Sequence, residues 1–238
     1  MKRLKDISMK KSVNIVVAVR CLNEEKNIER FLHGYDFADS IVVSDGGSTD
    51  DSLNLLSKNK KVIIHNYDVV EKFPTGCSWN PDNPHINFVL EKAKKLSPDW
   101  LILDDMDDVP TYTLRRNARK VLEHTSKSQV NAFRLYMWGD REFFPYMNRD
   151  FDKDYLALWA WRPDELDIYA DEQKHHATYR GISSDYEELK VPMALLHKSW
   201  HPDTIDDKVK WYNSVGIKTS HPFNFAGKPK RLPPWAKE

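Results

Sequence analysis

Glycine is scarce in this chain, with eight in 238 residues, and none of them falls into GxGxxG or GxxxxGK[ST]. That argues against a dinucleotide-binding fingerprint and against a P-loop, both of which cradle phosphate on glycine-rich backbone. Cysteine is scarcer still: Cys21 and Cys77 are too few for a disulfide framework, and a free pair suits a reducing, cytoplasmic setting. Charge of one sign is not in excess, since 36 Lys and Arg balance 36 Asp and Glu, so the chain as a whole carries no footprint for nucleic acid. Long hydrophobic runs are missing as well. The apolar run VNIVVAV that follows the basic start MKRLKDISMKK covers seven residues and ends at Arg20, whereas a membrane span needs about 20. The sequence therefore reads as a soluble protein with at most a peripheral contact between its basic start and anionic lipid.

What is present is alternation. Apolar runs of strand length at 13–19, 40–45, 61–67 and 99–104 are separated by segments of helical spacing at 24–35, after 51 and at 84–96. This is the pattern of stacked βαβ units, and it predicts an α/β fold with a Rossmann-like, mostly parallel central sheet flanked by helices. Asp50 or Thr49 is expected to cap the second helix, and Pro110 to end the element after the fourth strand. Residues 68–82, with Pro74, Gly76 and Pro81, read as a loop. Beyond 110 the rhythm loosens into a helix, strands near NAFRLYMW and LALWAW, and an amphipathic segment at about 204–215. The boundaries read as a basic tail at 1–12, a first half at 13–110, a smaller mixed region at 111–225 and an extended tail at 226–238.

In an open parallel sheet, ligands sit beyond the carboxyl ends of the strands, so the polar residues delivered there matter most. One strand delivers Arg20 with Asn23 and Glu24, the next Asp45 with Gly46 and Gly47, and the fourth the cluster DDMDD at 104–108. Without a glycine cradle, four carboxylates within five residues can meet a diphosphate only through a bridging cation. Carboxylates with open positions suit Mn²⁺ or Mg²⁺, which take substrate phosphate oxygens as further ligands.

These segments resemble the inverting family 2 glycosyltransferases of GT-A fold. VAVRCLNEEKNIERFL looks like the family's opening strand and helix, SIVVSDGGSTDDS like its second strand and "DxGSTD" turn, and DWLILDDMDDVP like the strand leading to its DxD motif. HINFVLEKA is similar to the Asn-bearing helix start before that strand. VPMALLHKSWHPDTIDDKVKWYN resembles a segment of the lipopolysaccharide-core-type subset. The resemblance implies a hexosyltransferase-like enzyme with a GT-A fold, whose second half forms the acceptor side. Its partners would be a nucleotide-sugar donor, leaning to a UDP-sugar, and a glycan or lipid-linked acceptor.

Carried over by position, Ala18, Arg20 and Glu24 would line the base and ribose, Asp45 and Gly46 would hold the base edge, and Asn87 would face the ribose or sugar. Asp105 and Asp107 match the two DxD carboxylates, Asp108 lies alongside, and Asp104 is the residue that would shift the register by one. His197 would complete the metal or diphosphate site. The general base is open. In ADEQKHHATYRG, Ala177 stands where the subset carries its acid, which leaves Glu172 favoured over Asp171, Asp164 and Glu165, with Asp108 a further catalytic carboxylate. His175 and His176 would face an acceptor phosphate or solvent, and the aromatics Trp138, Phe143, Phe144, Tyr146, Trp159 and Trp161 would form core or stack on sugar. A nucleotidyltransferase, a nucleotide-sugar-binding module without turnover, and a transferase acting on modified DNA bases are the competing readings.

Overall fold

The structure is a computed structural model that describes residues 12–67, 82–144, 156–171, 179–198, 202, 205–206, 209–210, 228–234 and 236. Three layers follow from the alternation of side chains along its central strands. In β1 (Ile15–Cys21), Ile15, Val17, Val19 and Cys21 pack on one face of the sheet with α1 (Glu25–Gly34) and α2 (Ser52–Ser57). Val16 and Ala18 pack on the other face with α3 (Asp82–Lys94). Because both faces are covered, β1, β2 (Ser40–Asp45) and β4 (Trp100–Asp104) read as unbroken apolar runs rather than alternating ones. The edge strand β3 (Val62–Asn66) is half-buried.

The parallel half of the sheet runs β3-β2-β1-β4. Next in chain order are β5 (Asp108–Pro110), α4 (Tyr112–His124), β6 (Gln129–Trp138), β7 (Glu142–Phe143) and β8 (Leu156–Trp161). After them come the short strands β9 (Tyr169–Ala170), β10 (Tyr179–Arg180) and β11 (Glu187–Glu188), then β12 (Ala194–His197) and β13 (Lys230–Arg231). β8 joins β4 antiparallel and β6 joins β8 antiparallel, so the second half of the chain extends the same sheet. α4 adds Leu114, Ala118 and Leu122 to the core on the α1 face. Among the described residues, no helix is long and apolar enough to cross a membrane.

Local details correct several expectations. β1 runs to Cys21 rather than stopping at residue 19, because its pairing with β2 continues to Cys21 opposite Asp45. Pro110 does not end a single element: residues 108–110 form β5, paired with β12, and Thr111 then caps α4 by accepting the Leu114 N–H. The N-cap of α2 is Asp51, whose side chain makes no capping bond. Asp50 instead accepts the N–H groups of Ser52 (3.0 Å) and Glu25 (3.1 Å), tying the starts of α1 and α2 together. Trp159, Trp161, Phe143 and Phe144 are core, while Trp138 is half-buried and meets Phe144 edge-on at 5.6 Å. Tyr146, Cys77, the loop at 68–81, most of 204–215 and much of both tails lie outside the described residues.

Candidate active site

The carboxyl ends of β1, β2 and β4 come together because the strands are parallel and adjacent. Alternation at the end of β4 then separates its carboxylates. Trp100 and Ile102 face the α1 layer and Leu101 and Leu103 the α3 layer, which sends Asp104 to the first face and Asp105 to the second. Asp104 is buried. It accepts a short hydrogen bond from the Tyr35 hydroxyl and another from Arg134 Nη2 at 3.0 Å, so it anchors the turn and offers nothing outward. Burial and the charge of Asp108 push its pKa well above the carboxylate range. Asp105 pairs with Arg20 at 2.8 Å on the opposite face.

The turn 105–108 leads into β5, and β5 pairs antiparallel with β12, which places His197 opposite Asp108. His197 Nδ1 lies 2.9 Å from Asp108 Oδ1 and 3.6 Å from Asp107 Oδ1. A gap of 89 residues is closed by strand register. Asp107, Asp108 and His197 offer ligand atoms within 4.8 Å of one another. Two carboxylates and an imidazole this close together could hold a divalent cation. Burial opposes ionisation of Asp108, but Arg134 and His197 outweigh it and hold its carboxyl below the usual range. Burial likewise opposes protonation of His197, yet Asp107 and Asp108 together raise its pKa. Asp105, expected from the sequence to be one of the two metal carboxylates, is not part of this group; it pairs with Arg20 instead, and Asp108 stands beside Asp107 and His197.

The remaining expected residues divide. Glu24 stands at the start of α1, accepting from Asn27 Nδ2 at 2.6 Å, and Gly46 N–H donates to the Cys21 carbonyl at 2.8 Å. Asp45 closes its own turn, with Oδ2 accepting from the N–H of Gly47 (2.9 Å) and of Ser48 (3.0 Å) while Oδ1 accepts from the Ser48 hydroxyl (2.5 Å). Ala18 does not line a ligand space: the longer β1 leaves it mid-strand, in the core beside Val42 and Ile86. Asn87 uses both ends of its amide on the backbone of Ala170, at 2.8 and 2.9 Å, so it clamps β9 to α3 rather than facing a sugar. Asp164 and Glu165 follow β8, which runs antiparallel to β4, and so emerge at the end of the sheet away from the carboxylates. Asp171 is at the other end, ion-paired with Arg180 at 2.8 Å and bound through its carbonyl to Asn83 in the first turn of α3. Glu172, His175 and His176 lie outside the described residues.

Cys21 is buried, and burial pushes its thiol up to about 12, which makes it core rather than nucleophile. Three side chains at or near the site were not anticipated: Arg134, Tyr35 and His85. Arg134 had a signal, as the one charged residue inside the mostly apolar NAFRLYMW. His85 stacks on Tyr67 at 4.3 Å and places Nε2 2.7 Å from Ser44 Oγ. Burial, with the nearby Arg20 charge, pushes the His85 pKa from 6.5 down to about 4. The unfolded chain then takes up a proton near pH 6.5 and the folded chain only near pH 4, so stability is full above this window and falls as pH drops through it. The expected loss is about 2–3 kcal/mol across the window. Urea denaturation at pH 7 and 4.5 should show a smaller drop for His85→Gln than for the wild type; equal drops would remove His85 as the cause.

Comparison with family models and with curated proteins finds no match. Among solved structures, the chain is similar to TarS 1-349 of S. aureus at 15% identity and a TM-score of 0.49, over 90% of this chain and 72% of that one. A longer TarS structure gives a TM-score of 0.48 at 15% identity, with 90% of this chain and only 44% of that chain covered. Glucosyl-3-phosphoglycerate synthase of Mycobacterium tuberculosis, in complex with Mn²⁺, UDP and phosphoglyceric acid, gives 0.48 at 14% identity over 94% and 88%. Identities this low leave the chemistry to be read from the residues themselves.

Proposed function

We propose that this chain is a metal-dependent, inverting glycosyltransferase of GT-A type that moves a sugar from a nucleoside diphosphate, a UDP-sugar, to a hydroxyl of a glycan or lipid-linked acceptor. The observation that carries this reading is the meeting of Asp107, Asp108 and His197 at the carboxyl ends of parallel strands. Asp107, Asp108 and His197 would hold Mn²⁺ or Mg²⁺. When bound, such an ion offsets the charge that develops on a leaving diphosphate. Arg20 and Asp105 lie beside the cluster, where a guanidinium and a carboxylate suit phosphate and ribose hydroxyls respectively. Asp45 Oδ1 keeps a lone pair beyond its bond to Ser48, which suits the imide N–H of uracil. An acceptor hydroxyl attacking the anomeric carbon in line must lose its proton to a carboxylate, and Glu172 is the proposed base, with Asp171 next to it.

A donor-hydrolysis screen of nucleotide-sugars with Mn²⁺ and Mg²⁺ tests the reading. Turnover of a UDP-sugar that stops in excess EDTA and returns on adding metal is the expected result. Full turnover in EDTA would defeat the metal-dependent mechanism. Tight binding of a UDP-sugar with no turnover in any metal would point to a binding module instead.

A further inference from the structure

Sugar transfer does not by itself explain the half-buried Arg134 beneath the carboxylates. Arg134 Nη2 stands 3.0 Å from Asp104 Oδ1 and 2.8 Å from Asp108 Oδ2, and both carboxylate side chains are fully buried. Asp104 is held from its other side by the Tyr35 hydroxyl, and Arg134 lies on β6 between the buried Phe133 and Leu135. The two oxygens of Asp108 therefore face different ways: Oδ1 toward His197, at 2.9 Å, and Oδ2 toward a fixed positive charge.

We propose that Arg134 is a positioning residue that confines Asp108 to ligation through one oxygen, and so selects small octahedral cations, Mn²⁺ and Mg²⁺, against Ca²⁺. The inference rests on the reading that this cluster holds a divalent cation. Ca²⁺ takes about 6–8 oxygens at about 2.3–2.6 Å and uses both oxygens of a carboxylate readily, whereas Mg²⁺ needs near-octahedral geometry at about 2.0–2.1 Å. A cation gripped by both Asp108 oxygens would stand beside the guanidinium that already covers Oδ2, and like charges at that range repel strongly in a buried site. Arg134 also offsets part of the negative charge of Asp107 and Asp108, and charge count at a site is one of the terms that sets Ca²⁺ affinity.

The test is calorimetric titration of Mn²⁺ and of Ca²⁺, without donor, into the wild type and two variants. Arg134→Gln removes the cation. Because that leaves the buried Asp108 carboxylate uncompensated and endangers folding, the second variant pairs Arg134→Gln with Asp104→Asn, whose neutral amide keeps the shape of residue 104 and can donate to Asp108. The wild type should bind Mn²⁺ about tenfold or more tighter than Ca²⁺, and both variants should lose most of that ratio. A merely structural role would weaken both ions in proportion and leave the ratio unchanged; that result, with Mn²⁺ still bound, overturns the inference alone. Ca²⁺ binding the wild type as tightly as Mn²⁺ overturns it whatever the variants do. Failure of Mn²⁺ to bind the wild type at all overturns the metal reading and the inference together.

Discussion

Asp107→Asn is expected to cut donor turnover at saturating Mn²⁺ by about a hundredfold or more, ~3 kcal/mol of transition-state stabilisation, while thermal unfolding stays unchanged. The choice of residue follows from burial. Asp104 and Asp108 have side chains that are fully buried against Arg134, so substituting either one disturbs that buried network and mixes lost activity with lost stability. Asp107 has a side chain 16% exposed and 3.6 Å from His197, so unlike the other two it keeps some contact with solvent. Asparagine keeps its size and removes only the charge. Steady-state rates together with a melting curve check this: a variant that retains turnover, or one that loses turnover only by unfolding, removes Asp107 from the reacting centre.

The largest stability effect is expected from Trp159→Ala. Trp159 is fully buried on β8 and packs on the α1 face with its ring 6.3 Å from that of Phe37. Truncating a buried aromatic costs about 3–5 kcal/mol, against a total stability of about 5–15 kcal/mol for a domain. Urea denaturation should show a large fall in midpoint at an unchanged m-value. Tyr169→Ala, at a residue 46% exposed, is the control and should stay within about 0.5 kcal/mol. A loss below about 1 kcal/mol for Trp159→Ala would mean that β8 does not seal this layer.

The parallel half of the fold was legible because its signals are local. Runs such as SIVVSD and WLILD are apolar throughout since helices cover both faces of the sheet, and each stops where polar residues reach the strand end. That alone placed the acidic turn, Arg20 and the Asp45 turn at one edge. The sequence could also show His197 at the end of an apolar run. It could not show what His197 meets there, since that depends on β12 pairing with β5 in a particular register.

The tertiary structure decided the roles of individual residues, and the reason is the two-residue period of a strand. A shift of one position turns a side chain to the opposite face, so Asp104 and Asp105, adjacent and chemically identical, part company: one anchors to Tyr35 and Arg134, the other pairs with Arg20. The same dependence on long-range pairing puts Ala18 in the core once β1 extends to Cys21, and turns Asp164 and Glu165 away once β8 runs antiparallel to β4. Periodicity within a few residues determined the elements and the edge at which they deliver polar groups. Register between strands far apart in the chain determined that Asp107, Asp108 and His197, with Arg134 beneath them, meet in one cluster, because the pairing energy that sets it comes from residues no local pattern joins.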